Sequence, residues 1–170
     1  MITMLNYGVF IMKKLFLILC FIVLCGCDEI GYERSKDRAN ILLVNMVEIE
    51  EKIVRKDTFM FMLGREDCSS CLWVQEKVLY DYLLDHGFDF YKVEIPSDET
   101  HPESIKAIEF IAKNPNPEEF LFDQYLPTDV LTPSFYFVEN GNVEDIYIGS
   151  GLTVEIFDRF IQKYRLDELK

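Results

Sequence analysis

The sequence predicts a single α/β domain behind an export leader, and three observations carry that prediction. Residues 58–63, Thr58-Phe59-Met60-Phe61-Met62-Leu63, form a continuous apolar run of strand length, and a helical stripe follows soon after. Asn140-Gly141, the strongest short hairpin signal, stands between two further strand-like runs. Stripes at helical spacing occur before, between and after these strands, the alternation an α/β domain produces. The 170-residue chain, less its leader, leaves roughly 140 residues, enough for one sizeable core. Its 14 Phe and 9 Tyr supply the apolar surface that a disordered chain lacks.

The leader comes first. Lys13-Lys14 gives a short positive region, residues 15–24 are an apolar run, and Leu24-Cys25-Gly26-Cys27 closes it with small residues before a cysteine. That is the order of a secretory signal, and the run is well short of the about 20 residues a membrane-spanning helix needs. Residues 24–27 resemble the lipobox of bacterial lipoproteins. The resemblance implies that Cys27 is diacylated on sulfur and becomes the first residue after cleavage. The domain is then expected to be extracytoplasmic and lipid-anchored to the bacterial cell membrane. An ordinary signal peptide or an uncleaved anchor, with an incidental cysteine, is the alternative. Residues 1–11 carry neither the charge nor the apolar pattern of a leader, and Met12, followed directly by two lysines, makes the better start. Expected boundaries are 1–26 for the signal peptide, 27–37 for a polar tether and 38–170 for the domain. Lys13 and Lys14 are the only charges before Cys27, so the net charge of −13 becomes −15 beyond it. An acidic balance of that size speaks against nucleic acid or anionic lipid bound through charge and gives a solvated surface.

Within the domain, Leu42, Met46, Ile49 and Ile53 step by four, three and four, predicting a helix over 38–54. The apolar run at 58–63 suits a central strand buried on both faces. After Gly64-Arg65-Glu66-Asp67, the apolar residues Cys71, Val74, Val78 and Tyr82, with Leu72, Leu79 and Leu83, mark a second helix that His86-Gly87 stops. Trp73 on that helix is expected to pack in the core. Residues 88–95 alternate as a strand, and Thr100-His101-Pro102-Glu103 reads as a capped helix start running to Lys113, where Asn114-Pro115-Asn116-Pro117 ends it. Residues 118–131 read as a short helix or ordered loop bringing Leu121, Phe122, Tyr125 and Leu126 to the core. Pro133 to Val138, the Asn140-Gly141 turn and Val143 to Ile148 form the hairpin. Gly149-Ser150-Gly151 breaks the strand, and Ile156, Phe157, Phe160, Ile161 and Tyr164 line a closing helix over 153–166.

Cysteine use narrows the chemistry. Cys20 and Cys25 leave with the signal and Cys27 carries lipid, so Cys68 and Cys71 are the thiols of the folded domain. A local pair in an exported protein is no disulfide framework of the small-scaffold kind, which needs several long-range bridges. It points to redox chemistry or metal. A zinc site needs four ligands, and His86 and His101 are the only histidines, read instead as a helix-end and a loop residue, so no metal is expected. The apolar stripes are core, and no cofactor is implied.

The order of elements, with Cys68-Ser69-Ser70-Cys71 at a strand-to-helix junction and Thr132-Pro133 before the hairpin, resembles the thioredoxin-like superfamily. The resemblance covers roughly residues 40–168 and rests on the conjunction of pieces more than on any one. Within the superfamily, Phe61 to Cys68 after a helix is similar to the bacteriocin-transport-accessory group. The resemblance implies a central mixed sheet flanked by helices, a catalytic pair Cys68 and Cys71, and a cis Thr132-Pro133 whose preceding backbone binds an extended substrate. The chain departs from the family's pattern in having no Trp before Cys68, no Pro between the cysteines and a long stretch from Cys71 to Pro133. Those positions bear on substrate and redox direction.

Position supports that chemistry. The free N–H groups and positive end of a helix stabilise a thiolate, so Cys68 at the helix start is the expected nucleophile and Cys71, one turn inside, the resolving thiol. Asp67 and Glu66 oppose the effect by raising a neighbouring thiol pKa, while Ser69 and Ser70 are candidate donors that lower it. The expected function is an extracytoplasmic, membrane-anchored thiol–disulfide oxidoreductase, whose partners are protein or peptide thiols and disulfides. The other reading is a non-catalytic lipoprotein of the same fold that binds a peptide or export partner.

Overall fold

The computed structural model describes residues 31–65, 67–121 and 124–169, of which Tyr32 onward forms one compact unit. The expected signal peptide, the expected lipidation site Cys27, Glu66 and Phe122 lie outside the described residues. Five strands form one sheet: β1 (Asn40–Leu43), β2 (Phe59–Gly64), β3 (Asp89–Glu94), β4 (Ser134–Glu139) and β5 (Asn142–Ile148). Their spatial order is β1-β3-β2-β4-β5, with β1, β3 and β2 parallel and β4 and β5 antiparallel. The mixed sheet flanked by helices is the fold class the sequence implied.

Side-chain alternation on the three inner strands divides the core into two layers. Met60, Met62, Phe90, Phe135 and Phe137 point to one face, where α2 (Ser69–Val74), a π-helical turn (Gln75–Leu79), α3 (Tyr80–Tyr82) and α5 (Val154–Lys163) cover them. Phe61, Leu63, Tyr91, Val93 and Tyr136 point to the other, against α1 (Met46–Val54) and α4 (Pro102–Lys113). Every residue of β2 is buried, which is why its sequence is apolar without alternation. The hairpin turns as read: Asn140 and Gly141 both have positive φ, 51° and 80°, as a primed two-residue turn requires.

Several boundaries differ from the sequence reading. The first helix does not span 38–54. Residues 40–43 are an edge strand paired with β3, and the helix begins at Met46 behind a capping box: Asn45 accepts from the Glu48 N–H and Glu48 from the Asn45 N–H. Leu42 fell into helical step by coincidence and is 37% exposed. Within Thr100-His101-Pro102-Glu103 the cap of α4 is His101, accepting from the Glu103 N–H. Trp73 is 46% exposed, because the helix turns it away from the sheet on which Cys71 and Val74 pack. Tyr125 and Leu126 are exposed as well, and Glu118–Phe120 is one 3₁₀ turn in a long ordered loop.

Residues 32–37, expected within the tether, are bound to the domain. Tyr32 Oη donates to Asp167, and Arg34 donates to Asp167 (2.7 Å), Asp158 (2.5 Å) and Tyr82 (2.8 Å). Asp167 is wholly buried, and the Ser35 N–H donates to its carbonyl at 2.7 Å. A buried carboxylate without a cation is costly, so Asp167 and Arg34 determine each other's place.

Candidate functional site

The cysteine pair stands where β2 gives way to α2. Cys68 is the N-cap residue: its backbone is extended, its carbonyl accepts from the Leu72 N–H at 3.1 Å, and its Sγ accepts from the Cys71 N–H at 3.0 Å. A sulfur thus fills the place usually taken by a Ser or Asp oxygen, and the donor that would steady a thiolate is a peptide group. Cys71 has no exposed surface, while Cys68 is partly exposed, so an incoming group meets Cys68 first. The two are joined as a disulfide with Cα atoms 5.2 Å apart.

Thr132-Pro133 faces this pair. The bond between them is cis, and the Thr132 carbonyl oxygen lies 3.6 Å from Cys68 Sγ. Behind it, the Gly149 N–H donates to the Pro133 carbonyl at 2.8 Å, and the Ser134 hydroxyl donates to the Leu131 carbonyl. Gly149 has a φ of 101°, which explains the glycine break the sequence shows there. The structure therefore brings Cys68, Cys71, Thr132 and Pro133 into one cluster; Cys27 lies outside the described residues.

Asp67 does not act on the thiol unopposed. Its carboxylate is 3.3 Å from Arg65 Nε and accepts from Ser97 Oγ, whose oxygen in turn accepts from Arg65 Nη2 at 2.8 Å. Among the described residues before Cys68, Arg65 and Asp67 are thus paired with each other.

A second polar cluster was not found by sequence reasoning. Lys92 is only 7% exposed, and its Nζ donates to Glu94 Oε1 at 2.7 Å and Gln75 Oε1 at 3.5 Å. Gln75 Nε2 donates to the Cys71 carbonyl at 3.2 Å. A Cβ placed on Gly64 would be 3.6 Å from both Cys71 Sγ and Lys92 Cε, so the buried sulfur and the lysine stem both border Gly64. The signal was present in the alternation of β3: Lys92 shares a face with the buried Phe90, an inward position where a charge needs a reason.

No family model matches the chain, and no curated protein matches it. The fold is thioredoxin-like. Its sheet order, the cysteine pair at the strand-to-helix junction and the cis proline before the hairpin carry that assignment. Among solved structures the chain is similar to one described as that of a candidate oxidoreductase with a thioredoxin fold, at 12% identity and a TM-score of 0.47, over 71% of this chain and 92% of that one. It is also similar to oxidised thioredoxin O2 from Arabidopsis thaliana, at 11% identity and a TM-score of 0.40, over 78% of this chain and 97% of that one.

Proposed function

We propose that this chain is an extracytoplasmic thiol–disulfide oxidoreductase, anchored to the bacterial membrane by lipid on Cys27, that acts on cysteines of protein or peptide clients. The observation that carries the reading is the asymmetry of the pair. Cys68 is reachable, receives a peptide N–H and lies against the Thr132 carbonyl, while Cys71 is buried one turn behind it. In the reducing direction the Cys68 thiolate attacks a client disulfide. A Cys68–client bond forms, the client S–S bond breaks, and the departing thiolate takes a proton from solvent. Cys71, deprotonated, then attacks Cys68 Sγ, the client leaves as its second thiol, and the Cys68–Cys71 disulfide remains. Two electrons have passed to the client, and an external dithiol must restore the pair. The oxidising direction is the same sequence reversed. The order of residues 13–27 supports export and anchoring, and the likeness of residues 61–68 to the bacteriocin-transport-accessory group supports a place within it.

Trapping tests the reading. Cys71→Ser leaves the nucleophile without its resolving thiol, so membranes from cells expressing it should yield client adducts on Cys68 that DTT releases and mass spectrometry identifies. Cys68→Ser should trap far less, because the remaining thiol is buried. The reverse pattern exchanges the two roles. Adducts from neither variant, with no reduction of a model disulfide by the parent protein, would overturn the oxidoreductase reading and favour the binding-only one.

A further inference from the structure

We infer that the cleft beside the cysteine pair selects extended, cysteine-bearing polypeptide segments in which an apolar side chain and a basic residue flank the reacting cysteine. The inference rests on the oxidoreductase reading above and names the client class for that same site.

The cleft has a volume of about 420 Å³ and opens between the loop after β2, the loop after β3 and the long segment before Pro133. That is within the range of about 300–1,000 Å³ typical of pre-formed ligand sites. Two of its lining residues adjoin the cysteine site. Arg65 lines it, and the Arg65 carbonyl accepts from the Cys68 N–H at 3.3 Å; Leu131 lines it immediately before Thr132. A second cleft of about 380 Å³ shares Ile95, Pro96 and Ser97 with the first and adds Asp67 and Glu94.

The outer wall is built, not incidental. Asn116 is buried; its N–H donates to the Pro127 carbonyl and its Nδ2 to the Asp129 carbonyl, both at 2.8 Å. Asp129 accepts from the Leu126 N–H at 2.8 Å, and Ser104 Oγ ties α4 to the Pro96 carbonyl at 3.0 Å. These bonds brace the segment that carries Tyr125 and Val130, which line the cleft together with Ile95 and Ile108. Tyr125 and Ile108 remain 39% and 37% exposed, so the cleft presents apolar surface to solvent. The exposed aromatic at 125, which the sequence reading sent to the core, is thereby given a use.

Charge decides what accompanies the apolar group. Glu99 and Asp129 line the first cleft and Asp67 and Glu94 the second; Arg65 is the one cation among the lining residues of either, and it is paired with Asp67. Lys92 offsets Glu94, while Glu99 and Asp129 form no ion pair among the described residues, on a protein of net charge −13. An acidic segment is repelled from such a surface and a basic one is drawn to it. A small dithiol reaches Cys68 without touching the cleft, so selectivity of this kind applies to polypeptides.

The test uses the purified full-length protein, reduced, and three short peptides carrying one cysteine as a mixed disulfide with a chromogenic thiol. Leu and Lys flank the cysteine in the first, Leu and Glu in the second, Ser and Lys in the third; hydroxyethyl disulfide serves as the small probe. The Leu/Lys peptide should react about tenfold faster than the Leu/Glu peptide at low ionic strength, and the ratio should fall towards one at ~0.5 M salt. Glu99→Lys should invert the Lys-to-Glu ratio, and Ile108→Ser should erase the preference for Leu over Ser. Equal rates for all three peptides while hydroxyethyl disulfide is reduced would overturn the inference and leave the oxidoreductase reading standing. Failure to reduce hydroxyethyl disulfide overturns that reading instead. Fluorescence anisotropy with the Cys→Ser peptides then decides the cleft by itself: tighter binding of Leu/Lys supports it, and equal binding refutes it.

Discussion

The two ends of the helical run at 69–82 solve opposite problems. At its start, Cys68 is partly exposed, its sulfur is held by one peptide N–H, and the neighbouring Arg65 Nε makes an ion pair with Asp67 but no hydrogen bond. At its end, Tyr82 donates to Asp158 at 2.6 Å within a knot where Arg34 also binds Asp158 and Asp167 and Tyr32 caps Asp167. The difference is one of access. A group that must exchange electrons with a partner has to be reachable and incompletely satisfied, whereas a group that only secures the fold gains from having every charge met. The π-helical turn at Gln75–Leu79 lies between them and lets Cys71, Val78 and Leu79 all reach the core.

Arg34→Met should have the largest effect, because it leaves the fully buried Asp167 and the half-buried Asp158 without their cation. A loss of about 3–5 kcal/mol in denaturant-induced unfolding is expected, with Cys68 in the folded fraction reacting as before. Loss of Cys68 reactivity at equal folded fraction would break the comparison by coupling the two ends. Lys92→Met, at the redox end, should cost less, about 1–3 kcal/mol, since it removes charge-assisted hydrogen bonds while Glu94 can still be hydrated. Here the alkylation rate of Cys71 in the reduced protein should change as well, as it should not in Arg34→Met.

The dependence of stability on pH sharpens the contrast. Burial pushes the Asp158 carboxyl up, but the hydrogen bonds from Tyr82 and Arg34 outweigh it and hold the group below the usual aspartate range. A depressed carboxylate contributes stability that is present above its unfolded pKa, about 3.9, and lost as pH falls through its lower folded value. Acid unfolding should therefore steepen below about pH 4, and Arg34→Met should flatten that limb. On the alkaline side, burial and a hydrogen bond to Asp145 push Tyr164 up to about 12. Its contribution is full below the ordinary tyrosine value of about 10 and disappears as pH rises through the folded one. Tyr32 and Tyr82 are raised in the same direction, first by burial and then by their carboxylate partners, so the knot adds to the alkaline loss. Trp73→Ala should have the smallest effect, within about 0.5 kcal/mol, because the side chain is 46% exposed. As the single tryptophan, Trp73 reports its own setting: emission of an exposed indole, readily quenched by acrylamide, is expected from the parent protein.

The elements that were legible in the sequence are those whose signal is local. β2 showed in its apolar run, the hairpin in Asn140-Gly141, α5 in its stripe and the cysteine pair in its place between a strand and a helix. Each depends on the period of side-chain burial or on the backbone needs of a few adjacent residues. The misread elements depend on partners far along the chain. Residues 40–43 look helical beside Met46 and become a strand because β3 offers them an edge. Residues 32–37 look like a polar tether and are held by acids more than 120 residues later, Arg34 reaching Asp158 and Asp167.

The same division separates the chemistry. The sequence by itself determined the pair Cys68 and Cys71 and their order along the helix, because spacing within one turn is a property of the chain, while the proline that faces them was implied by the resemblance to the superfamily. Only the tertiary structure decided which charges matter around the pair. It linked Lys92 through Gln75 to the Cys71 carbonyl, joined Asp67 to Arg65 instead of to the thiol, and set Glu99 and Asp129 in the lining of one cleft. Electrostatic interaction depends on distance through space and on burial, and neither is defined until strands distant in sequence lie side by side.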